Sequence, residues 1–341
     1  MARFLVTGIA GFIGYSLARL LLKQGHFVVG IDSFTPYYDV TLKRSRAAAL
    51  NQSPDCHIHE FSIEDAVKLQ EVASAAAPDI IVHLAAQAGV RYSIENPRAY
   101  IDANLVGTFN ILELARALKP RHLMIASTSS VYGANTKMPF AETDPTDHPL
   151  TLYAATKKSC EVMAHSYSHL FSIPTTLFRF FSVYGPWGRP DMALFIFTKN
   201  IIEGQPIDVY NHGDMERDFT YVDDLVDAIA ALAELIPPDP RATPEPEEEE
   251  EGAEWASRVA PYRRVNIGRS APVRLTDFIE QIEKCVGRRA VKNLLPMQPG
   301  DVKRTIASTD VLYQLIDRRP STPIEVGVRH FVDWYRSYYH V

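Results

Sequence analysis

The chain has 341 residues, enough for one large core or two unequal lobes, and its formal net charge is −6. No basic stripe interleaved with aromatic residues occurs, so a nucleic-acid surface is not indicated and the expected partner is a small molecule. No apolar run has membrane-spanning length, no leader precedes the first strand, and the cysteines and histidines lack metal-ligand spacing, which predicts a cytoplasmic protein without a membrane or metal site.

The first predicted unit is a strand, a glycine turn and a helix. Residues 3–7 have the apolar character of a buried strand, and Gly8-Ile9-Ala10-Gly11-Phe12-Ile13-Gly14 joins them to a helix with leucines at helical spacing. Gly8 permits the tight turn, and Gly14 permits close packing of the helix. Gly11 lets the N–H groups at the helix start, including those of Phe12 and Ile13, approach a pyrophosphate. The turn is therefore a predicted dinucleotide site.

A second strand, residues 27–32, follows the first helix and ends in Asp32. A carboxylate at this position accepts hydrogen bonds from the adenosine ribose hydroxyls and repels the 2′-phosphate of NADP. The sequence therefore predicts NAD as the cofactor, with Asp32 as its ribose contact.

Strands and helices continue to alternate to about residue 181. Strands are predicted at 57–61, 79–84, 121–127 and 174–181, and helices at 64–76, 97–118 and 152–171. This alternation predicts an α/β fold with a Rossmann-type doubly wound parallel sheet, whose ligand lies beyond the carboxyl ends of the strands. Small or polar residues lie there after the fourth and fifth strands: Leu84, Ala85, Ala86, Gln87, Thr128, Ser129 and Ser130. A plain polar loop is the alternative interpretation of the last three.

Tyr153 and Lys157 are four residues apart in the predicted helix 152–171, so their side chains share one helix face. A free phenol is a poor base at neutral pH, but a neighbouring ammonium favours the phenolate. Tyr153 could then remove a proton from a substrate hydroxyl. The pattern alone is also compatible with a solvated tyrosine and lysine, and the rest of the sequence favours the catalytic interpretation.

The second half of the chain is predicted to form a smaller α/β lobe that binds the substrate. Residues 1–181 form the predicted cofactor domain, to which parts of 205–235 return, and 182–341 form most of the smaller lobe. The Gly- and Pro-rich stretch 182–191 is typical of an ordered loop that lines a site. Residues 237–254 contain a run of glutamates and predict a disordered acidic insertion.

With these residues in view, the chain resembles the extended short-chain dehydrogenase/reductases and, among them, the UDP-glucuronate 4-epimerases. The resemblance covers nearly the whole chain apart from the acidic insertion. It rests on the stretches 83–93, 129–137, 152–157, 179–191 and 217–221.

The resemblance implies roles for individual residues. Thr128, Tyr153 and Lys157 would form the catalytic set, while Ser182 and Arg189 would lie near the substrate carboxylate. Further implied contacts are Asn104 with the cofactor, Arg217 with the diphosphate, and Arg91, Ser129, Ser130 and Asp301 with the substrate. Helices 97–118 and 152–171 would form the interface of a homodimer.

Three positions depart from related enzymes. Ser62 stands where many relatives carry an acidic residue beside the adenine, so that contact is not predicted. Ser182 replaces the asparagine of galactose epimerases, which suits an acid sugar. Gln298 stands where those relatives place arginine, so no charge contact is expected from it.

These features predict an NAD-dependent isomerase that interconverts UDP-glucuronate and UDP-galacturonate at C4. Tyr153 would take the C4 hydroxyl proton during oxidation, and the resulting 4-keto sugar would rotate and be reduced on its other face. That intermediate is a β-keto acid, so Ser129, Ser182 and Arg189 must hold its carboxylate against loss of CO₂.

The pair Ser129-Ser130 separates this prediction from related activities. Dehydratases that resemble the chain place Asp-Glu just before Val-Tyr-Gly, and decarboxylases place Glu there. Elimination is therefore disfavoured, and decarboxylation is the second interpretation. Action on an N-acetylated UDP-uronate and inversion at C5 stay open. A non-catalytic NAD-binding protein is disfavoured because both Tyr153 and Lys157 are present.

Overall fold

The computed structural model describes residues 1–242 and 255–341. Within these residues the strands are β1 (Arg3–Thr7), β2 (Phe27–Asp32), β3 (Cys56–Glu60), β4 (Ile80–His83), β5 (His122–Thr128), β6 (Thr175–Phe180), β7 (Ser182–Tyr184), β8 (Ile207–Val209), β9 (Glu216–Tyr221), β10 (Tyr262–Ile267), β11 (Pro272–Arg274) and β12 (Lys292–Leu294).

The α-helices of the same residues are α1 (Phe12–Lys23), α2 (Val40–Leu50), α3 (Ala66–Ala76), α4 (Tyr92–Glu95), α5 (Pro97–Tyr100), α6 (Gly107–Leu118), α7 (Leu152–Phe171), α8 (Ala193–Glu203), α9 (Val222–Glu234), α10 (Leu275–Val286), α11 (Asp310–Ile316) and α12 (Ile324–Tyr339). None of the helices in the described ranges is long and apolar enough to cross a membrane.

Seven strands form one parallel sheet in the order β10-β6-β5-β4-β1-β2-β3, which confirms the predicted Rossmann-type doubly wound fold. Every residue of β4 and β5 is buried, as expected for central strands that are covered on both faces. The edge strand β3 is partly exposed. The chain order reverses between β1 and β4, and a ligand crevice forms at such a switch point.

Helices cover both faces of this sheet. On one face α1 and α9 pack together and bury Leu17, Leu21 and Ile229 against the strands. On the other face α3, α6 and α7 bury residues that include Leu69 and Ile111. The apolar periodicity that predicted these helices is therefore the stripe that each turns toward the sheet.

The smaller lobe contains a three-stranded sheet, β11-β9-β7, and a parallel pair, β12-β8. Its core is rich in aromatic residues, with Phe219 of β9 stacked on Phe278 of α10 at a centroid distance of 4.2 Å. The helices α8, α10 and α12 complete this core. The lobe thus holds β7 and β9, which carry predicted substrate residues, on a rigid base.

Two elements differ from the predicted division at residue 181. Strand β10 is the last strand of the large sheet, and α11 packs against β10 and α9, so residues 262–267 and 310–316 also return to the larger lobe.

The predicted helix 97–118 is helical, but residues 101–106 form a π-helical segment between α5 and α6. Such segments interrupt a helix locally and are frequent near functional sites.

The predicted insertion, 237–254, falls largely on residues 243–254, which lie outside the described residues. The predicted disorder therefore stays a prediction, and only the first residues of the stretch, 237–242, are described. Residues 240–242 form a helical turn, in which Arg241 donates to the His169 carbonyl (2.7 Å) and the Ser172 hydroxyl (2.9 Å). These bonds fix the turn at the end of α7.

Candidate active site

A cleft of about 300 Å³ opens beyond the carboxyl ends of β1, β2, β4 and β5. Most predicted cofactor residues and all three predicted catalytic residues line it. The predicted residues in its wall are Gly8, Gly11, Phe12, Ile13, Gly14, Asp32, Leu84, Ala85, Ala86, Gln87, Thr128, Tyr153, Lys157 and Arg189.

The glycine turn has the geometry of a pyrophosphate site. Helix α1 begins at Phe12, and no side chain caps its first N–H groups. Gly8 has a φ of +71°, and a Cβ on Gly14 would lie 2.1 Å from the Gly8 carbonyl oxygen, so the helix can approach the turn only without a side chain there. Because Phe12 and Ile13 line the cleft, uncapped N–H groups and the positive helix end are available to the dinucleotide.

Asp32 is held rigidly at the end of β2. Its Oδ2 accepts a hydrogen bond from the Ala10 N–H at 3.0 Å, and its Oδ1 accepts from the Phe34 N–H at 2.8 Å. A carboxylate has about four lone-pair sites, so each oxygen can still accept a ribose hydroxyl. The structure thus fixes Asp32 between the glycine turn and the next loop, in the wall of the cleft.

Asn104 is not among the residues that line the cleft, and its direct contact with the cofactor stays a prediction. It is fully buried. Its Oδ1 accepts from the Gln87 N–H (2.8 Å), and its Nδ2 donates to the Gln87 carbonyl and the Thr156 hydroxyl, both at 3.1 Å. Both amide hydrogens are therefore used inside the protein. Asn104, on the π-helical segment, holds the loop after β4 against α7.

His83, at the end of β4, is a buried neutral group behind the same wall. Its Nδ1 lies 2.8 Å from the Thr7 hydroxyl and its Nε2 3.1 Å from the Thr108 hydroxyl. Burial, and then the positive charge of Lys157, lower the pKa of His83 to about 3. The imidazole therefore adds no positive charge next to Lys157 at neutral pH.

The predicted catalytic residues meet in the cleft from two elements. Tyr153 and Lys157 lie in the first turns of α7, whose N-cap, Thr151, accepts a hydrogen bond from the Ala154 N–H at 3.2 Å. Thr128 ends β5, and its hydroxyl accepts from the Ser130 N–H and donates to the Ser130 hydroxyl, both at 3.2 Å. A hydroxyl that is positioned in this way can turn its proton toward a substrate oxygen without moving its own oxygen.

Arg189 forms an ion pair inside the cleft. Its Nε donates to Asp191 Oδ1 at 3.0 Å and its Nη2 to Asp191 Oδ2, while the Tyr37 hydroxyl donates to Asp191 Oδ2 at 3.0 Å. Burial alone would raise the pKa of Asp191, but the Arg189 guanidinium holds it below its usual value. An anionic substrate that binds Arg189 must therefore use the guanidinium hydrogens that Asp191 leaves unused.

The other predicted substrate residues lie outside the cleft wall. Arg91 pairs with Asp301 at 3.5 Å and lies over the Tyr210 ring at 4.5 Å. Arg217 of β9 donates to the carbonyls of Glu216 (2.9 Å) and Lys303 (3.2 Å). Burial lowers the pKa of Arg217, although the nearby Asp301 acts the other way. These residues form one charged group where the loop after β4, which carries Arg91, meets the smaller lobe, whereas Ser129, Ser130 and Ser182 are half-buried.

The sequence interpretation missed two segments that line the cleft, 33–43 after β2 and 61–64 after β3. The lining residues of the first segment are Ser33, Thr35, Tyr37, Tyr38 and Lys43. In the second, the Ser62 hydroxyl donates to the carboxylate of Glu64, so an acidic group is present next to the position where one was thought lost. Ligands bind beyond the carboxyl ends of parallel strands, so the ends of the second and third strands were the available signal for these two segments.

The fold, the glycine turn and the tyrosine–lysine pair define a class of nucleotide-dependent epimerases and dehydratases. The sequence model of the NAD-dependent epimerase/dehydratase family matches residues 4–241, and the chain belongs to that family.

Relatives narrow this class. A probable UDP-glucuronate 4-epimerase of Rhizobium meliloti is 57% identical over 338 residues, which cover 99% of this chain and 98% of that protein. UDP-glucuronate 4-epimerase 4 of Arabidopsis thaliana is 42% identical over 341 residues, 98% of this chain and 75% of that protein. The UDP-glucuronic acid 4-epimerase of Bacillus cereus, solved with UDP-glucuronic acid and NAD, superimposes with a TM-score of 0.87 at 31% identity and covers 99% of this chain and 100% of that chain.

Proposed function

We propose that the protein is an NAD-dependent isomerase that interconverts UDP-glucuronate and UDP-galacturonate by inversion at C4. The observation that carries the proposal is the convergence of Thr128, Tyr153 and Lys157 on a cleft whose other wall is the glycine turn. The similarity to UDP-glucuronate 4-epimerases over nearly the whole chain supports this substrate.

The cofactor would occupy the cleft along the glycine turn and Asp32. Its pyrophosphate fits the uncapped start of α1, and its ribose hydroxyls fit the Asp32 carboxylate. When bound there, NAD supplies a reversible hydride acceptor for C4 of the sugar. The 2′-phosphate of NADP would meet the negative charge of Asp32, which favours NAD.

The chain's own residues move and hold the proton. Tyr153, as the phenolate, takes the proton from the C4 hydroxyl, and Thr128 donates a hydrogen bond to the same oxygen. Lys157, one turn further along α7 and buried in the same cleft wall, would hold the nicotinamide ribose. After the 4-keto sugar rotates about its diphosphate link, Tyr153 returns the proton to the oxygen.

The carboxylate of the 4-keto intermediate needs separate control. A β-keto acid loses CO₂ when its carboxylate bond aligns with the carbonyl π system, so an epimerase must hold that group out of alignment. Arg189 lines the cleft and can bind a carboxylate, while Ser129 and Ser182 offer hydroxyls from the neighbouring elements. Arg217 and Asp301 lie in the smaller lobe and Arg91 in the loop after β4, and Arg217 can meet the diphosphate.

The test is proton NMR of UDP-glucuronate incubated with the purified protein, first without and then with added NAD. An anomeric signal of UDP-galacturonate that grows to an equilibrium ratio is expected. A UDP-pentose signal with CO₂ release would instead identify a decarboxylase. An unchanged spectrum in both incubations would contradict the proposal, and N-acetylated UDP-uronates would be the next substrates.

We also propose a homodimer through the helical stretch 101–118 and α7. Large apolar side chains on these helices are 41–64% exposed, namely Val106, Phe109, Val162 and Leu170. Exposed apolar side chains on two helices that pack together can form an interaction surface. The two helices from each of two copies could bury these side chains. Analytical sedimentation of the wild-type protein should show a dimer. Phe109→Glu should weaken this dimer, whereas Val67→Glu, at an exposed position outside the two helices, should leave it intact. A monomeric wild-type protein would contradict it.

A further inference from the structure

The segment after β2 reaches two other loops through one side chain. Its Tyr37 donates a hydrogen bond to Asp191 in the loop after β7 at 3.0 Å. The Tyr37 ring packs on Tyr92, which follows β4, at a centroid distance of 4.8 Å. The Tyr37 hydroxyl also lies 2.7 Å from the position that a Cβ on Gly89 would occupy, so it touches the loop after β4 directly.

The topology decides where this contact lies. Strand β1 is between β4 and β2 in the sheet. A contact between the loops that follow β2 and β4 therefore crosses the carboxyl end of β1, where the glycine turn begins. Tyr37 and Tyr38 line the same cleft as Gly8, Gly11 and Asp32. Residues 33–39, which we name the strap, thus cross the part of the cleft that fits the pyrophosphate.

The base of the strap is anchored from α2. The Lys43 ammonium donates to the carbonyl and the hydroxyl of Thr35 at 2.9 and 3.0 Å. The fully buried Arg46 donates to the Ala10 carbonyl of the glycine turn and to the Tyr38 hydroxyl, both at 2.9 Å. The base is thus bound by several charge-assisted hydrogen bonds, and Arg46 also donates to the Trp187 and Gly188 carbonyls of the loop after β7 at 2.6 and 3.3 Å. The tip contacts the same loop through the Tyr37–Asp191 bond.

We propose that Tyr37 is a cofactor-retaining residue, and that its hydrogen bond to Asp191 latches the strap over bound NAD and sets the rate at which NAD leaves. The inference rests on the proposed NAD site. An epimerase regenerates its cofactor in every turnover, so slow release costs it nothing in rate. A hydrogen bond to a carboxylate is strong enough to slow release by about tenfold or more.

The experiment compares NAD release from the purified holoenzyme of wild type, Tyr37→Phe and Tyr92→Phe. Tyr92→Phe is the matched control, because Tyr92 belongs to the same aromatic cluster but its hydroxyl accepts its hydrogen bond from the nearby Asn96 (2.8 Å) and not from the loop after β7. Released NAD is captured by an added alcohol dehydrogenase with its alcohol, and the fluorescence of the NADH that forms gives the release rate.

Tyr37→Phe should release NAD about tenfold faster or more, and its turnover should come to depend on added NAD, while Tyr92→Phe releases NAD at the wild-type rate. A purely structural role for Tyr37 would lower the melting temperature without this change in release rate. Release from Tyr37→Phe at the wild-type rate would overturn the latch and leave the proposed function intact. A wild-type protein that neither contains nor takes up NAD would overturn both.

Discussion

The two halves of the cleft are built from different parts of the chain. The cofactor half is mostly main chain: the turn at Gly8 and Gly14, the uncapped start of α1 and the loop after β4. The substrate half consists mostly of charged side chains that are already paired: Arg189 with Asp191 in the cleft, and Arg91 with Asp301 just outside its wall. The first half is therefore ready for its ligand, whereas in the second an anionic ligand must share or replace internal partners.

The electrostatics follow the same division. In the substrate half, Arg189 lowers the pKa of Asp191 despite burial, and burial lowers the pKa of Arg217 despite Asp301. Burial first, and then Asp191, raise the pKa of Tyr37 to about 12, so Tyr37 stays a donor at neutral pH. Such ion pairs stabilise the cleft before the substrate binds. The affinity for an anionic substrate then depends on how well its own groups replace the internal carboxylate partners.

The largest expected effect is at the seam between the halves, where Tyr153 faces both ligands. Tyr153→Phe removes the proton acceptor and leaves the ring, so turnover should fall by about 10²–10⁴-fold. The NMR epimerisation assay measures it, and NAD content should stay at the wild-type level because the phenyl ring of phenylalanine fills the same place. A variant that keeps most of its turnover would show that another group takes the proton.

Adding a methyl group to the glycine turn should lower NAD affinity by displacing the main chain. In Gly14→Ala the new Cβ meets the Gly8 carbonyl oxygen at 2.1 Å, so the turn must shift, and overpacking of this kind costs about 1–3 kcal/mol. We expect NAD affinity to fall by about 10–100-fold, measured by calorimetric titration of the cofactor-free protein.

Gly287→Ala is the control for that change. Unlike Gly14, Gly287 has a positive φ, +79°, but no atom lies within 4 Å of an added Cβ, and it ends α10 in the smaller lobe. It should lose stability without losing NAD affinity. Equal losses of affinity in both variants would remove the distinction between a main-chain cofactor half and the rest of the molecule.

Arg189→Lys tests the substrate half. A lysine keeps the charge but loses the planar fork, so both Asp191 and the substrate carboxylate lose two-point binding. KM for UDP-glucuronate should rise about tenfold, and a UDP-pentose by-product should appear in the NMR spectrum because the carboxylate is less well held. Arg98→Lys is the control, since Arg98 forms an exposed pair with Asp102. An unchanged KM and product in Arg189→Lys would place the carboxylate elsewhere.

The same division explains what the sequence could predict. Glycine spacing, apolar periodicity and the YxxxK pattern are local, so the sheet, the pyrophosphate turn and the Tyr153–Lys157 pair could be predicted. The hydrogen bonds of Asn104 to Gln87 and Thr156 could not be predicted, because these partners lie far away in sequence. Tyr37 was missed because its partner Asp191 is 154 residues away, and no local pattern encodes that pairing.

The smallest expected effect concerns a buried charge of the larger lobe that lies outside both halves of the cleft. Glu142 is buried and accepts a hydrogen bond from the Asn266 N–H of β10 at 2.7 Å. Burial raises the pKa of Glu142 from 4.5 to about 7, although the Asn266 N–H and Arg179 oppose the rise. Between these values the folded state binds more protons than the unfolded state, so the free energy of unfolding should fall as pH rises through this window.

Glu142→Gln keeps the acceptor oxygen and removes the titration. As pH rises from 4.5 to 7, the free energy of unfolding of the variant should therefore increase by about 1–2 kcal/mol relative to wild type. Urea unfolding at several pH values measures this difference, and KM and NAD affinity should change little. Glu95→Gln, at an exposed position on α4, should follow the wild-type curve. If Glu142→Gln changed KM as much as Arg189→Lys does, buried charge outside the cleft would also control the substrate. Substrate binding would then not depend on the charged side chains of the cleft alone.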